Sequence, residues 1–495
     1  MARIDQYEES RIKNFEYFKN NKIVYPYSFD RNYNSKQIHL EFEKLNPEEY
    51  SDKIAKVAGR LLLIRNLGKI VFMDLHDQEG KIQVVVKQSD FPEDKFEIIN
   101  KLDTGDIVGV TGKIFKTKRG EVSIDAQDIT FLSKSFKPLP NKWKGLQDEE
   151  IKYRKRYLDL MINRESKDTF ILRSKIISLI RKYLDSKNFM EVETPLLQPL
   201  YGGANARPFV TESYVWKRKL YLSISPELYL KRLLVGGYER VFTICKNFRN
   251  EGVDKSHNPE FTMIEIYEAY KDYNEAMKTL EGMIEFVVKS LFNTTVIEYE
   301  GKKFDFKSPW PKMTMKEALK HYANVDVDAL NDDALMKLLK ENHIELEQYK
   351  RGLAIAELFE HYCEHKLTGP VHIIDHPKET TPLCKLHRAD ESLIERDEPY
   401  LNGMELANIY SELNDPQLQE KLMVDQKDQG RAKGENHPID YDFIEALKYG
   451  MPPAYGIGMG IDRLVIILSN SKNIRDVILF PLLKEEDKKE ESTEN

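Results

Sequence analysis

Three groups of side chains in this 495-residue sequence have types and spacings that could do chemistry. In the first, Arg249, Glu251, His257 and Asn258 crowd one short loop, and Phe261, Glu265 and Tyr267 follow at even spacing. The second is Glu398, Glu405, Asn408, Tyr410 and Glu412, in the most acid-rich part of the body of the chain. The third is the run Gly456, Gly458 and Gly460, which meets Arg463. Arginines suit phosphate groups, and an aromatic ring with a second arginine suits a purine held between them. A pair such as Glu398 and Glu405 suits Mg²⁺, a hard cation that takes oxygen ligands and usually bridges nucleotide phosphates. The remaining acids need a cationic substrate. The inventory points to an ATP-using site for a molecule that carries amino groups. Each group also has a plainer reading: charged loops are most often solvated faces, and Arg463 at a helix start can simply anchor that helix by a salt bridge.

Positioning these side chains falls to the elements that carry them. Two β-prone runs, 241–246 and 261–270, separated by Asn247, Asn250, Gly252, Asn258 and Pro259, predict a hairpin. The period of two puts Phe261, Met263, Glu265, Tyr267 and Ala269 on one face of its second strand. Asn408, Tyr410 and Glu412 share a strand face in the same way, but Glu405 has the opposite parity. For all of them to line one cavity the backbone must bend or bulge near Gly403 or Ala407. Alternating glycines in 455–460 suggest a strand with one face against a ligand or another backbone. They are not a dinucleotide fingerprint, which wants glycine or alanine where Ile461 stands, and the Walker pattern does not occur. Glu227, after Ser225 and Pro226, suits the first turn of a helix, so capping by itself explains it. Gly203 lies in a flexible glycine loop, 201–209.

The length implies two or more domains, because one core rarely grows past ~300 residues. No apolar run approaches the ~18 residues of a membrane span, and the N-terminal stretch has acids where a signal peptide has its apolar core, so a cytoplasmic location is expected. The net charge of −7 argues against general coating of nucleic acid, although Lys113 to Arg119 and Lys152 to Arg156 are local basic clusters. Cys245, Cys363 and Cys384 are too scattered for disulfides or zinc, and His376 and His387 lack a ligand cluster. Residues 1–50 read as a helical extension that composition alone would allow to fray, and 51–136 as five short strands and one helix, a small barrel of the OB type. Such barrels often bind single strands through exposed aromatics and cations, here Phe72, an exposed Gln83 and the turn near Arg119; ligand-free barrels are equally common. A linker is expected at 137–150, a body with helices and strands at 151–483, with an inserted helical subdomain near 310–365, and a disordered charged tail at 484–495.

With these motifs in order, the chain resembles the class II aminoacyl-tRNA synthetases, and among them the lysine-specific members, from Tyr7 to Leu483. The helix and strand of 175–195 look like motif 1, NFRNEGVDKSHNPEF (247–261) like motif 2, and GIGMGIDR (456–463) like motif 3. GGANARPF, SPELYLKR and MELANIYSELNDP are similar to stretches of the lysine enzymes in particular. The resemblance implies an α+β protein: a five-stranded OB-type barrel followed by a catalytic domain on an antiparallel sheet flanked by helices. It implies ATP-dependent activation of L-lysine to lysyl-adenylate, transfer to the 3′ end of tRNA-Lys, Mg²⁺ as cofactor, and a homodimer built on motif 1.

The resemblance also implies roles, position by position. Arg249 would hold the α-phosphate and the substrate carboxylate, with Asn408 assisting at the latter. Phe261 and Arg463 would enclose the adenine, with Glu251, His257, Asn258 and Gly460 on the nucleotide and Arg249 and Arg463 as the catalytic pair. Glu398 and Glu405 would bind Mg²⁺. Gly203 and Glu227 would take the α-amino group, and Glu412 and Tyr267, with Glu265 and Tyr410 nearby, the side-chain ammonium. In the barrel the anticodon positions fall on Arg65, Phe72, Gln83 and Glu121, Phe72 stacking a base and the polar three reading base edges. One departure is Ser256, where many bacterial members carry arginine. The related aspartyl and asparaginyl enzymes share the barrel and hairpin but need cations where this chain offers Glu227, Glu265 and Glu412. A catalytically idle nucleic-acid-binding relative would have no reason to keep Arg249, Glu405 and Arg463, and a class I lysine enzyme is excluded because no His-x-Gly-His occurs.

Overall fold

The computed structural model describes residues 6–23, 25–140, 148–346, 348–428 and 438–484. The expected charged tail, apart from Lys484, and half of the expected linker, 141–147, lie outside the described residues. The chain forms two compact units, 1–147 and 148–495.

In the first unit five strands close into a barrel: β1 (Tyr50–Asn66), β2 (Ile70–His76), β3 (Lys81–Lys87), β4 (Ile107–Lys116) and β5 (Val122–Ser133), in the order β1-β2-β3-β5-β4. Closure leaves no sheet edge to aggregate. It depends on β1, which at 17 residues is longer than the short strands expected and pairs antiparallel with both β2 and β4, its register against β2 shifting between Leu61 and Leu63. A bulge of this kind bends one strand around a barrel corner. The interior holds Val57, Leu61, Met73, Leu75, Val84, Val110 and Ile124. Nor is the N-terminal extension frayed. Its helix Gln6–Asn20 buries Phe18 completely beside Phe131, and Arg11 donates to the carbonyls of Thr104 and Ser135. One buried aromatic and three closed hydrogen-bonding groups outweigh the polarity that suggested a tail.

The second unit is built on a nine-stranded sheet. Its strands in chain order are β6 (Met190–Glu191), a small separate sheet of β7 (Leu197–Gln198), β8 (Val210–Ser213) and β9 (Arg218–Leu222), then β10 (Arg240–Phe248), β11 (Glu260–Ala269), and a two-stranded ribbon of β12 (Val296–Tyr299) and β13 (Lys302–Asp305). There follow β14 (Lys312–Thr314), β15 (Val371–Pro377), β16 (Leu393–Leu401), β17 (Met404–Glu405), β18 (Ala407–Ser411) and β19 (Ala454–Gly460). The main sheet runs β14-β15-β16-β18-β19-β11-β10-β6, with β17 on β16. Its six central strands are antiparallel as expected, but β14 and β6 at the edges pair in parallel, so the sheet is mixed. The inserted segment accordingly starts with a strand of the main sheet before its helices Met315–Ala323, Asp332–Glu341 and Arg351–Tyr362 gather their own core.

The strand alternation divides the sheet into two environments. Ile264 and Ile266 of β11, Ile457 and Met459 of β19 and Ile409 of β18 face the helices Arg164–Ser186, Tyr273–Phe292 and Ile461–Leu468, which contribute Ile180, Leu184, Leu280, Ile284, Val287 and Ile467. Each such side chain withdrawn from water is worth about 1.5–3 kcal/mol before entropy is counted. Asp462 locks this layer: it accepts from Arg173 at 2.5 Å and from the Thr262 amide at 2.7 Å. The opposite face of the same strands is free to carry polar chemistry. No described helix is long and apolar enough to cross a membrane. The three cysteines are free thiols, buried or half-buried, and His376 is buried with its Nε2 at the Ile373 carbonyl.

Candidate active site

Beta strand β19 is the floor of the site. Gly456 lies opposite Tyr267 on one side and Tyr410 on the other, and Gly458 opposite Glu265 and Asn408. Small residues on the central strand leave a trough into which the flanking side chains lean. At Gly456 a Cβ would stand 2.1 Å from Glu412 Oε1 and 2.6 Å from the Tyr267 ring, so both side chains hold these positions only because the residue is glycine. The cleft above this floor has a volume of about 410 Å³, within the usual range for small-molecule sites.

Glu405 joins Asn408, Tyr410 and Glu412 in this cleft despite its parity. Asn402 and Gly403, both with positive φ, turn the chain between β16 and β17 as an Asn-Gly hairpin does. The register then slips by one residue between the pair Tyr400·Glu405 and the pair Asp397·Ile409. The extra residue is a bulge at Leu406 and Ala407, at one of the two places the sequence allowed, and it brings Glu405 to the same side.

One end of the cleft is acidic. Glu227, Glu265 and Glu412 are all buried there, Glu412 to 1% exposure. Ser225 Oγ donates to Glu265 Oε1 at 2.8 Å, and the Tyr267 hydroxyl to Oε2 at 3.1 Å. Gly203, at φ 84°, approaches so closely that a Cβ would sit 2.9 Å from Ser225 Oγ and 3.1 Å from Glu227 Cβ. Among the described residues no aligned hydrogen-bond donor reaches either oxygen of Glu412. Its neighbour is the ammonium of Lys231, one helical turn from Glu227, 2.7 Å from Glu227 Oε1 and 2.5 Å from Glu412 Oε2. Burial, reinforced by the charge of Glu227, pushes the Glu265 carboxyl up to about 8. Burial does the same to Glu412, to about 8, against the pull of Lys231. Buried carboxylates crowded this way favour any ligand that brings positive charge.

The other end is a chain of arginines and acids. Arg249 lies with its guanidinium 5.1 Å from the Phe261 ring centroid, and its Nε has no partner among the described residues. Burial lowers its pKa, and the neighbouring acids Glu251 and Glu405 oppose that. Arg463, in the first turn of Ile461–Leu468 after Gly460, donates to the Glu405 carbonyl at 2.7 Å and to its carboxylate at 3.2 Å. Its other terminal nitrogen is 3.4 Å from His257 Nε2, and His257 Nδ1 is 2.8 Å from Asp254. Asn258 donates to the Glu260 carbonyl, leaving its own buried oxygen unmatched. Glu251 lines the same cleft. Between the two ends, Arg396 joins Glu398 to Asn408, donating to the carboxylate of the first and, at 3.1 Å, to the amide oxygen of the second. Glu398 also accepts from Asn408 and from the Tyr400 hydroxyl.

All the catalytic-unit residues expected from sequence therefore line one cleft. Three functional neighbours escaped that reading: Lys231, Arg396 and Ser225. Lys231 was legible only as a Glu-Lys pair four apart on a helix, a spacing that usually marks a solvated face. For Arg396 the signal was its even spacing from Glu398 on one strand. No group of three or more His, Cys, Asp or Glu residues poised to hold a metal by protein ligands alone occurs among the described residues.

On the barrel, Arg65 pairs across from Phe72, and Gln83 from Asp74 and Ser123, which sets Arg65, Phe72 and Gln83 on one face. The Arg65 guanidinium lies 5.8 Å from the Phe72 ring centroid. Gln83 is not exposed as expected but 7% accessible, because it donates to Glu121 at 3.0 Å and accepts from Ser123 at 3.1 Å. Glu121 is half-buried there and also faces Lys81 at 3.6 Å.

The chain is also similar to known proteins along most of its length. Residues 148–484 match the family model described as tRNA synthetases class II (D, K and N), and 55–132 match that of the OB-fold nucleic acid binding domain. The chain is 50% identical over 468 residues to "Lysine--tRNA ligase 2" of Methanosarcina mazei, covering 94% of this chain and 91% of that protein. It is 45% identical over 488 residues to "Lysine--tRNA ligase" of Methanoculleus marisnigri, covering 98% and 94% of the two chains. A third relative, "Lysine--tRNA ligase" of Clostridium botulinum, is 47% identical over 464 residues, 92% of this chain and 91% of its own. On the match to its body and to these relatives along nearly their whole length, the chain belongs to the class II tRNA synthetases of the D, K and N group.

Proposed function

We propose that this protein is a lysine–tRNA ligase: it activates L-lysine with ATP and transfers the lysyl group to the 3′ end of tRNA-Lys. The observation that carries the amino-acid choice is the acidic end of the cleft, where three buried carboxylates, Glu227, Glu265 and Glu412, share a single ammonium, Lys231. Carboxylates in excess of that one cation need further positive charge, and leaving them unmatched costs several kcal/mol, roughly 2–5, of binding for a neutral competitor. An aspartate carboxylate would meet repulsion there, and the neutral asparagine amide would bring no charge to balance the acids.

In this reading Glu227 and the Gly203 loop take the α-amino group, and Glu412 and Tyr267, with Glu265 and Tyr410 around them, take the side-chain ammonium. Arg249 and Asn408 hold the carboxylate. Phe261 and Arg463 flank the adenine, with Glu251, His257, Asn258 and Gly460 along the nucleotide. A lysine carboxylate oxygen attacks the α-phosphorus, the bond to the β-phosphate oxygen breaks, and pyrophosphate leaves. No side-chain nucleophile is needed. Rate comes from in-line positioning and from Arg249 facing the charge that develops on phosphorus. The 3′-terminal ribose hydroxyl of the tRNA then attacks the carbonyl carbon and AMP leaves. Glu398 and Glu405 supply hard oxygens, too few to hold a metal alone, which suits a cation that takes its other ligands from phosphates and water. Mg²⁺ bound there would offset phosphate charge.

Residues 51–136 are read as the anticodon-binding domain, with Arg65, Phe72, Gln83 and Glu121 at the bases, and 151–483 as the catalytic domain. The exposed apolar residues Met190, Leu196 and Leu197, the last 52% accessible, lie just after the motif 1 helix and support a homodimer. Charging of tRNA for translation assigns the protein to the cytoplasm. The decisive experiment is amino-acid-dependent ATP–pyrophosphate exchange with lysine, ornithine, aspartate and asparagine. Exchange is expected with lysine and strongly reduced with ornithine. Exchange with aspartate and none with lysine would overturn the reading.

A further inference from the structure

Lys231 occupies a position that the proposed chemistry does not use. It is fully buried on the helix Glu227–Val235, between Leu230 and Leu234, which point into an apolar core. Its ammonium touches the two carboxylates assigned to opposite ends of the substrate, Glu227 at 2.7 Å and Glu412 at 2.5 Å, and reaches the Leu383 carbonyl at 3.5 Å. Behind its acidic wall the pocket thus already has an ammonium of the same kind as the one it is read to bind.

We propose that Lys231 is a specificity-determining positioning residue, a resident counter-ion that cancels one of the three pocket carboxylates so that a substrate with two ammonium groups, and no other charge count, completes the site. The balance is simple. Glu227, Glu265 and Glu412 bring three negative charges when ionised, and Lys231 returns one. Two remain, matched by the α-amino and side-chain ammonium groups of lysine, while the substrate carboxylate is answered at Arg249. Buried charge that is not balanced is expelled by protonation instead. Without a ligand, two of the carboxyls therefore hold protons, and these are exchanged for the two ammoniums on binding. Lys231 also crosses between Glu227 and Glu412, fixing the distance between the two ends of the pocket.

Among the described residues, the surroundings leave Lys231 as the one group suited to this task. From β11 the pocket is faced by Glu265 and Tyr267, from β18 by Tyr410 and from β16 by Arg396, while Cys384 lies buried behind it, bridged to Glu412. Arg396 is committed to Glu398 and Asn408, and the tyrosines and the cysteine are neutral because burial raises all three. Burial alone would lower the Lys231 ammonium, but Glu227 and Glu412 outweigh it and keep the group charged.

The proposal rests on the reading of the cleft as a lysine-activating site, and the test separates the two. The full-length protein and its Lys231→Met variant are compared in lysine-dependent ATP–pyrophosphate exchange from pH 6 to 9. In the variant three carboxylates face two ammoniums, so the rising limb of kcat/KM for lysine should move up by about one pH unit or more, with a loss of at least tenfold at pH 7 and KM for ATP within about twofold. A double variant, Glu227→Gln with Lys231→Met, removes one charge of each sign. Its overall rate falls because Glu227 is a ligand, but its limb should return to the wild-type pH. Profiles of single variant and wild type that overlay, or a displaced limb in the double variant, overturn the proposal. If the single variant is recovered unfolded, the double variant, which strands no buried charge, decides. Failure of the underlying reading looks different: the unmodified protein itself would show no exchange with lysine.

Discussion

Gly456 lies directly under Glu412, so closely that a Cβ on it would stand 2.1 Å from the carboxylate oxygen. The absence of one methyl group on the central strand is therefore what allows a carboxylate from the next strand to enter the pocket. Gly456→Ala should keep the fold, because β19 retains its pairing on both sides, yet push Glu412 and Tyr267 aside. KM for lysine should rise about 100-fold, with KM for ATP changed little, in steady-state pyrophosphate exchange.

Glu412→Gln removes the charge and keeps the shape. Lysine binding should weaken by about 3 kcal/mol, on the order of 10²-fold, while ATP binding stays nearly intact. Separate equilibrium titrations with the two ligands check this, and equal loss of both would mark Glu412 as a structural group.

Arg249→Ala should abolish adenylate formation, a loss on the order of 10³-fold or more, without unfolding the protein. Its Nε has no partner among the described residues, so little internal structure depends on it. Single-turnover adenylate formation, with thermal melting as control, tests the expectation, and near-normal exchange would remove Arg249 from its role.

The acidic end predicts opposite pH trends for stability and binding. Glu265 and Glu412 are raised from 4.5 to about 8, so each holds its proton more tightly folded than unfolded. Their contribution to stability is full below pH 4.5 and is lost as pH rises toward 8. Lysine needs the ionised carboxylates, so its affinity should rise over that window and its binding should release protons at pH 7. Thermal melting of the free protein against pH, and calorimetric titration in buffers of different ionisation enthalpy, read the two trends. Proton uptake on lysine binding would contradict the assignment.

Phe72→Ala should leave lysine-dependent exchange unchanged and weaken tRNA binding by about 1–3 kcal/mol, the usual worth of one stacked base. Filter binding of tRNA-Lys beside exchange activity makes the comparison, and loss of exchange in this variant would show that the barrel face is not separate from the chemistry.

By itself, the sequence determined the parts that depend on local pattern. Period-two spacing put Phe261, Glu265 and Tyr267 on one face, and alternating glycines at 456, 458 and 460 announced a bare strand face, as found in β11 and β19. Turn and bulge signals near Gly403 and Ala407 even marked where the backbone had to bend for Glu405 to join Asn408. Such features were readable because side-chain direction in a strand follows from parity alone. What only the tertiary structure decided were the relations between distant segments. Polar composition concealed the packing of the N-terminal helix, since a single Phe18 finds its partner Phe131 only in the fold. Gln83 reads as exposed until Ser123 and Glu121, 40 and 38 residues away, close around its amide. Lys231 is the sharpest case. Four residues after Glu227 it has the spacing of an ordinary surface pair, and it becomes a buried counter-ion because β18 delivers Glu412 to its other side. Charge balance in a pocket is a sum over segments that meet only when the chain has folded, and no local pattern contains that sum.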